Sequence, residues 1–139
     1  MKYNQIFHVP RSLLIGMLAY QLGANSVVLT DGDPVSIDLI KENLTLNNME
    51  DQRIQTIRML WGDNEENERF HSWYQNTFHN RHSSSSECDD EDDSTTTFDM
   101  IVAGDVMYKS SLPELFFQTV VHYLKESGIL YLCHVSSFL

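Results

Sequence analysis

Apolar residues recur at helical spacing in three segments of this chain, which are residues 11–22, residues 35–47 and the segment between Ser111 and Gly128. The apolar positions in each segment are three, four or seven residues apart, so they share one side of a helix. Asp33 and Pro34 stand where an N-cap and a first-turn proline are expected. Gly23 and Gly128 stand where helices end. We therefore predict three amphipathic helices, with residues 65–80 as a fourth and more polar one.

Short apolar and β-branched runs alternate with these helices. They are residues 26–30, residues 54–58, residues 100–103 and residues 129–135, and we expect the last two to be buried strands. Strands that alternate with helices imply right-handed crossovers and a mostly parallel sheet. The pattern therefore predicts a single α/β domain over residues 1–139.

Acidic residues follow two of the predicted strands. Asp31 follows the first run, and the stretch FDMIVAGDVMY places Asp105 and Tyr108 after the third. Open parallel sheets bind ligands at the carboxyl ends of their strands, where a carboxylate can accept hydrogen bonds from both hydroxyls of a ribose. The alternative is that Asp31 and Asp105 are ordinary turn residues and that Tyr108 is a half-buried phenol. The spacing alone leaves both interpretations open.

Composition and charge limit the classes of binding partner that we expect for this chain. The net charge of -11 argues against nucleic acid and anionic membranes, because both attract lysine and arginine, and it suits a basic protein partner. Two cysteines make no disulfide framework, so we expect a reduced, cytoplasmic location, with the nucleus as a second compartment. No run approaches the roughly 20 apolar residues of a membrane span. Residues 81–97 are rich in serine and acid, which predicts a disordered loop.

The histidines beside this loop do not predict a metal-binding site. His79, His82 and Cys88 are ligand types, but no second pair of ligands completes a four-coordinate site. We therefore expect no metal.

Four segments together resemble a known family. LTDGD, NLTLNN, LWGD and FDMIVAGDVMY follow one another in an order that is similar to the family-16 group of seven-β-strand protein methyltransferases. The most specific part of the resemblance is the D-x-x-Y motif of Asp105 and Tyr108, which comes directly after the fourth strand when strands are counted as in that family. The resemblance covers residues 15–135. It implies a Rossmann-like class I methyltransferase fold, S-adenosylmethionine as cofactor, and methyl transfer to a lysine side chain of a protein substrate.

The resemblance also implies roles for individual residues. Asp31 would hold the ribose, Trp61 would lie near the adenine, and Ala103 would help to line the cofactor cleft. Asp105 and Tyr108 would form the entrance for the target amine. This agrees with elementary chemistry, since a carboxylate attracts a lysine ammonium and an aromatic ring favours positive charge over its face.

The chain departs from the family at both ends. A glycine-rich turn normally follows the first strand, but here only MKYNQIFHVPRS precedes the first helix, and residues 5–9 are at best a substitute strand. We therefore expect a truncated domain without its first strand and its last two strands. An alternative function is a catalytically inactive fragment that binds proteins through the acidic loop. A less favoured alternative is a nicotinamide-binding domain, in which Asp31 would serve equally well.

Overall fold

A computed structural model describes residues 4–8, 13–79, 96–105 and 110–133. Strands and helices alternate along these residues. In chain order they are β1 (Asn4–His8), α1 (Leu13–Gln21), β2 (Ser26–Asp31), α2 (Pro34–Leu46), β3 (Ile54–Arg58), α3 (Asn64–Tyr74), β4 (Phe98–Gly104), α4 (Leu112–Tyr123) and β5 (Leu124–Cys133). A π-helical turn, Gln75–His79, continues α3.

The five strands form one parallel sheet in the order β3-β2-β1-β4-β5. The chain first builds outward from β1 to β3 and then returns to the other side of β1 to add β4 and β5. The strand order therefore reverses between β1 and β4, and open α/β sheets bind ligands outside the carboxyl ends of the strands at such a reversal. The predicted Rossmann-like α/β fold is confirmed.

The first strand is present, which corrects the expectation that it is missing. Residues 4–8 form β1 at the centre of the sheet, hydrogen bonded to β2 on one side and to β4 on the other. A central position gives even a short strand backbone partners on both edges, so tertiary pairing outweighs its weak sequence signal. Residues 9–12, where the glycine-rich turn would be expected, lie outside the described residues, as do residues 80–95 of the acidic segment.

Each side of the sheet is covered by one pair of helices. We call the sides the α1–α2 face and the α3–α4 face. The core of the α1–α2 face includes Met17, Val27, Leu29, Ile37, Ile40, Leu44 and Ile54. The core of the α3–α4 face is aromatic and includes Phe70, Tyr74, Phe98, Phe116 and Tyr123. Side chains of β2 and β4 alternate between the two cores, as the pleat of a doubly covered sheet requires.

Helix α3 owes its place to its aromatic side. Asp63 caps it by accepting hydrogen bonds from the backbone N–H groups of Glu65, at 2.9 Å, and of Glu66, at 3.4 Å. The Phe70 ring lies 5.0 Å from the Tyr123 ring in an edge-to-face contact and 6.2 Å from the Phe98 ring. The aromatic residues of this segment therefore pack the core, as the sequence favoured, and they anchor an otherwise polar helix.

The end of α4 differs from the prediction. The helix ends at Tyr123, and Gly128 lies inside β5 rather than at a helix cap. Pairing with β4 begins at Leu124, and the register shifts before Ile129. The local sequence favours a helix that continues to Gly128. The residues after Tyr123 instead belong to β5, because pairing with β4 outweighs that local preference.

Strand β5 is also more exposed than predicted. Ile129 and Tyr131 keep 50% and 55% of their surface accessible, and Cys133 is exposed as well. Within the described chain, β5 pairs only with β4, and α1 contacts β1 and β2 rather than this end of the sheet. The expectation of a buried strand is therefore wrong, since no residue of β5 is buried.

Replacing the central aromatic of the α3–α4 face tests this account of the core. Phe70 is 1% exposed, so Phe70→Ala should lower the free energy of unfolding by about 3–5 kcal/mol. Leu14→Ala is the matched control, because Leu14 is 76% exposed and its truncation should cost no more than about 0.5 kcal/mol. Denaturant unfolding followed by circular dichroism measures both, and equal effects of the two variants would contradict the assignment.

Candidate functional site

The strand register brings two acidic residues to one edge of the sheet. Thr30 and Ala103 each pair with His8, so the three residues form one row across β2, β1 and β4. Asp31 comes one residue beyond this row on β2, and Asp105 comes two residues beyond it on the chain that leaves β4. Neighbouring strands are about 4.8 Å apart, so the two backbones flank the end of β1 at roughly 10 Å.

Asp31 is a nearly buried carboxylate within a tight turn. It is 8% exposed, and its Oδ1 accepts a hydrogen bond from the backbone N–H of Asp33 at 2.8 Å. Asp33 in turn caps α2 by accepting from the backbone N–H of Val35 at 3.1 Å, as predicted. Burial raises the pKa of the Asp31 carboxyl above its ordinary value, although the Asp33 amide acts in the opposite direction. The backbone N–H of Gly32 also hydrogen bonds to this carboxyl. A carboxylate has about four lone-pair sites, so two turn contacts still leave acceptor capacity for a ligand hydroxyl.

Arg58 supports this turn, and sequence reasoning missed it. Arg58 is the register partner of Asp31, and its Nε donates a hydrogen bond to the backbone oxygen of Gly32 at 2.9 Å. The guanidinium of Arg69 in α3 donates to the backbone oxygen of Arg58 at 2.8 Å. The available signal was a charged residue at the carboxyl end of a parallel strand, the same signal that marked Asp31.

Trp61 and Gly62 form a turn between β3 and α3 that packs against α4. The Trp61 ring meets the Phe116 ring edge to face, with the centroids 5.1 Å apart. Gly62 has φ of 72°, and a Cβ at this position would collide with the side chain of Leu115. The glycine is therefore required both for its left-handed backbone and for the close approach of helix α4.

Asp105 ends β4 in an uncommon backbone conformation. Its φ is 57°, a left-handed value that aspartate tolerates better than most residues. Its backbone N–H donates to the backbone oxygen of Cys133 at 2.8 Å, which extends the β4–β5 pairing by one bond. Ala103 is fully buried in β4, two residues earlier. Tyr108, the partner predicted for Asp105, lies outside the described residues.

Two further features concern metals and membranes. In the described ranges, no three side chains of histidine, cysteine, aspartate or glutamate are grouped to hold a metal ion. Over the same part of the chain, no helix has both the length and the apolar character that crossing a membrane requires.

The sequence matches no protein-family model, and it matches no curated protein. Solved structures do match over nearly the whole chain. The ribosomal protein L11 methylase from Lactobacillus delbrueckii subsp. bulgaricus is 21% identical with a TM-score of 0.53, covering 95% of this chain and 51% of that one. PRMT1 of Trypanosoma brucei, in its enzyme-prozyme complex with AdoHcy, is 16% identical with a TM-score of 0.54, covering 93% and 33%.

A dehydrogenase matches at the same level. The glucose/ribitol short-chain dehydrogenase/reductase from Brucella melitensis is 14% identical with a TM-score of 0.53, covering 95% of this chain and 58% of that one. The chain thus spans between 33% and 58% of the lengths of these three proteins. At such low identities the likeness establishes the fold alone, which is a Rossmann-like α/β fold shared by methyltransferases and a dehydrogenase.

The buried Asp31 carboxylate predicts a specific pH dependence of stability. Because its pKa in the folded protein is raised, the folded state binds more protons than the unfolded state between the two pKa values. The contribution of Asp31 to stability is therefore full below its unfolded pKa and is lost as pH rises through the folded pKa. Asp31→Asn should remove this loss, since the amide oxygen can still accept from Asp33.

Denaturant unfolding from pH 4 to pH 7 measures this effect. The free energy of unfolding of Asp31→Asn, taken relative to the unmodified protein, should increase with pH across this range. A difference that stays constant or decreases would show that the Asp31 pKa is not raised.

Proposed function

We propose that this chain forms part of an S-adenosylmethionine-dependent protein methyltransferase that acts on lysine side chains. The observation that carries the proposal is the buried carboxylate of Asp31 at the carboxyl end of β2, next to the reversal of strand order between β1 and β4. A carboxylate in this position is suited to accept hydrogen bonds from the two ribose hydroxyls of a nucleoside.

The residues on the nucleoside side fit the cofactor. The remaining acceptor capacity of Asp31 would hold the ribose, Trp61 would lie near the adenine, and Ala103 would help to line the cleft. When bound, S-adenosylmethionine supplies a methyl group on a sulfonium sulfur, which is transferred by in-line displacement. The protein therefore has to position the amine and accept its proton, and it need not form a covalent bond itself.

Asp105 and Tyr108 would bind the lysine side chain of the substrate protein. The Asp105 carboxylate would attract the ammonium group, accept its hydrogen bond and hold the deprotonated amine in line. The Tyr108 ring would pack along the lysine stem. The left-handed backbone of Asp105 supports this role, because strained backbone conformations are concentrated at functional sites. The net charge of -11 is consistent with a basic protein substrate.

A nicotinamide-binding domain is the second candidate. The dehydrogenase from Brucella melitensis matches this fold as well as the methylase does, with a TM-score of 0.53 for both. Asp31 would hold the ribose of either nucleotide. The D-x-x-Y motif favours the methyltransferase, since nothing in a nicotinamide site accounts for Asp105 and Tyr108.

Calorimetric titration of the purified chain tests the cofactor. We expect S-adenosylmethionine to bind and NAD to give no heat. Asp31→Asn should weaken binding at least about tenfold, because it removes a hydrogen-bond acceptor that carries charge. Asp63→Asn is the matched control, since Asp63 is the N-cap of α3 and asparagine caps a helix as well as aspartate does.

The outcomes separate the three candidates. Binding of NAD alone would replace the methyltransferase proposal with the nicotinamide-binding domain. If neither S-adenosylmethionine nor NAD gives a heat of binding at high micromolar concentration, the remaining candidate is an inactive fold that acts, if at all, through protein binding. An equal loss of affinity in Asp31→Asn and Asp63→Asn would remove Asp31 from the site.

The role of Asp105 has its own test. Asp105→Asn keeps a residue that tolerates the left-handed backbone but removes the charge that would attract the lysine. Transfer of labelled methyl groups to lysate proteins should fall about 100-fold, while the affinity for S-adenosylmethionine stays unchanged. Asp38→Asn, a change of the same kind on the exposed side of α2, should keep full activity. Unchanged transfer in Asp105→Asn would exclude Asp105 from the mechanism.

A further inference from the structure

The outer side of helix α1 is apolar and exposed to solvent. Ile15, Leu18 and Leu22 keep 47%, 52% and 78% of their surface accessible. Their spacing of three and four residues places them on one side of the helix, whereas Met17 on the opposite side is buried in the core. Residues 13–24 contain no charged side chain. Helix α1 therefore carries a neutral apolar stripe on the side that points away from its own sheet.

The same side of the sheet is open over β5. Ile129 and Tyr131 of this strand pair with Met100 and Val102 of β4. Met100 and Val102 pack in the core of the α1–α2 face, whereas Ile129 and Tyr131 are about half exposed. In the described part of the chain, α1 and α2 contact β1, β2 and β3. Residues 129–133 also contain no charged side chain, so this end of the sheet presents a neutral apolar face beside α1.

We propose that a second copy of this chain covers the open face, in a two-fold symmetric dimer in which α1 of each copy packs on β5 of the other. We call the participating residues the dimer surface; they are Ile15, Leu18, Leu22, Ile129 and Tyr131. A helix with its side chains is about 10–12 Å thick, so the α1 helix of a second copy fits the layer next to the first α1 helix. Two-fold symmetry uses the helix stripe and the sheet face once in each copy, which leaves neither exposed.

The area of the dimer surface is sufficient for such a contact. Large side chains bury roughly 150–250 Å² each when they are fully covered. At the observed exposures, the five side chains offer roughly 550 Å² in each copy, or about 1,100 Å² for the pair, which exceeds the lower limit of about 1,000 Å² for a specific interface. Leu14 is exposed too, but it lies to one side of the stripe and is not counted. Interfaces of this size are weak, so we expect a dimer that dissociates on dilution.

Charge favours a second copy over a basic protein as the occupant. The chain has a net charge of -11, so a basic protein is attracted to its carboxylates, and the dimer surface contains none. Two acidic copies repel each other least where their contact surfaces carry no charge. The two uncharged segments, residues 13–24 and residues 129–133, are therefore the places where self-association is least opposed.

Sedimentation equilibrium of the whole chain, over a series of concentrations, tests the proposal. Leu18→Lys places a charge on the helix stripe, and Tyr131→Lys places one on the sheet face. Leu46→Lys is the matched control, because Leu46 is 79% exposed on α2 and the change alters the net charge equally. All three replaced side chains are exposed, so each variant should fold, and circular dichroism checks that it does.

We expect the unmodified chain to reach the mass of two copies at high micromolar concentration. Leu18→Lys and Tyr131→Lys should each weaken the dimer at least about tenfold, because each leaves an ammonium group unpaired in an apolar contact. Leu46→Lys should stay within about twofold of the unmodified chain.

Three results would overturn the proposal. A chain that stays monomeric at high micromolar concentration would show that the apolar face belongs to another occupant, either a further segment of a longer chain or a different protein. Equal weakening by Leu46→Lys would show that added charge, and not the dimer surface, decides association. Assemblies that grow beyond two copies would exclude the closed two-fold contact.

The dimer does not depend on the proposed function. The dimer surface contains none of the residues that would contact the nucleoside or the lysine, and it lies on the α1–α2 face rather than at the carboxyl ends of the strands. Failure of the chain to bind S-adenosylmethionine would therefore leave the expected dimer unchanged, and a monomeric chain would leave the expected cofactor binding unchanged.

Discussion

Backbone pairing on both sides of β1 is the constraint on which the rest of this structure depends. Without β1, strands β2 and β3 would form one two-stranded ribbon and β4 and β5 another, and two-stranded ribbons are at best marginally stable. With β1 in place, all five carboxyl ends lie at one edge. Asp31, Trp61 and Asp105 come to that edge although they are distant in sequence.

The helical parts of the fold could be predicted because their signals are local. The cap at Asp33, the proline that follows it and the spacing of Ile37, Ile40 and Leu44 are all written within about a dozen residues, and α2 forms where they indicate. The aromatic residues of α3 also indicated packing correctly. In both helices the local preference and the burial of one side agree, so tertiary contacts had nothing to override.

The parts that could not be predicted depend on residues far apart in the chain. The polar sequence of β1 becomes a strand because two neighbouring strands pair with it. Leu124 belongs to β5, and not to the end of α4, because it pairs with β4. The same holds in the site. Arg58 bonds a carbonyl 26 positions away, and Gly62 bonds a hydroxyl 57 positions away. Spacing along a sequence carries no information about such contacts.

Asp31 shows why a turn residue and a ligand residue need not be alternatives. The turn uses part of the acceptor capacity of the carboxylate, through the amides of Asp33 and Gly32, and a ligand would use the remainder. A purely structural turn gains nothing from burying its carboxylate, because desolvation makes the charged form less favourable and raises the pKa. Burial of Asp31 at the reversal of strand order therefore opposes stability at neutral pH. A hydroxyl-bearing ligand at this edge would offset that cost, since an acceptor shielded from water binds such a group more strongly than an exposed one does.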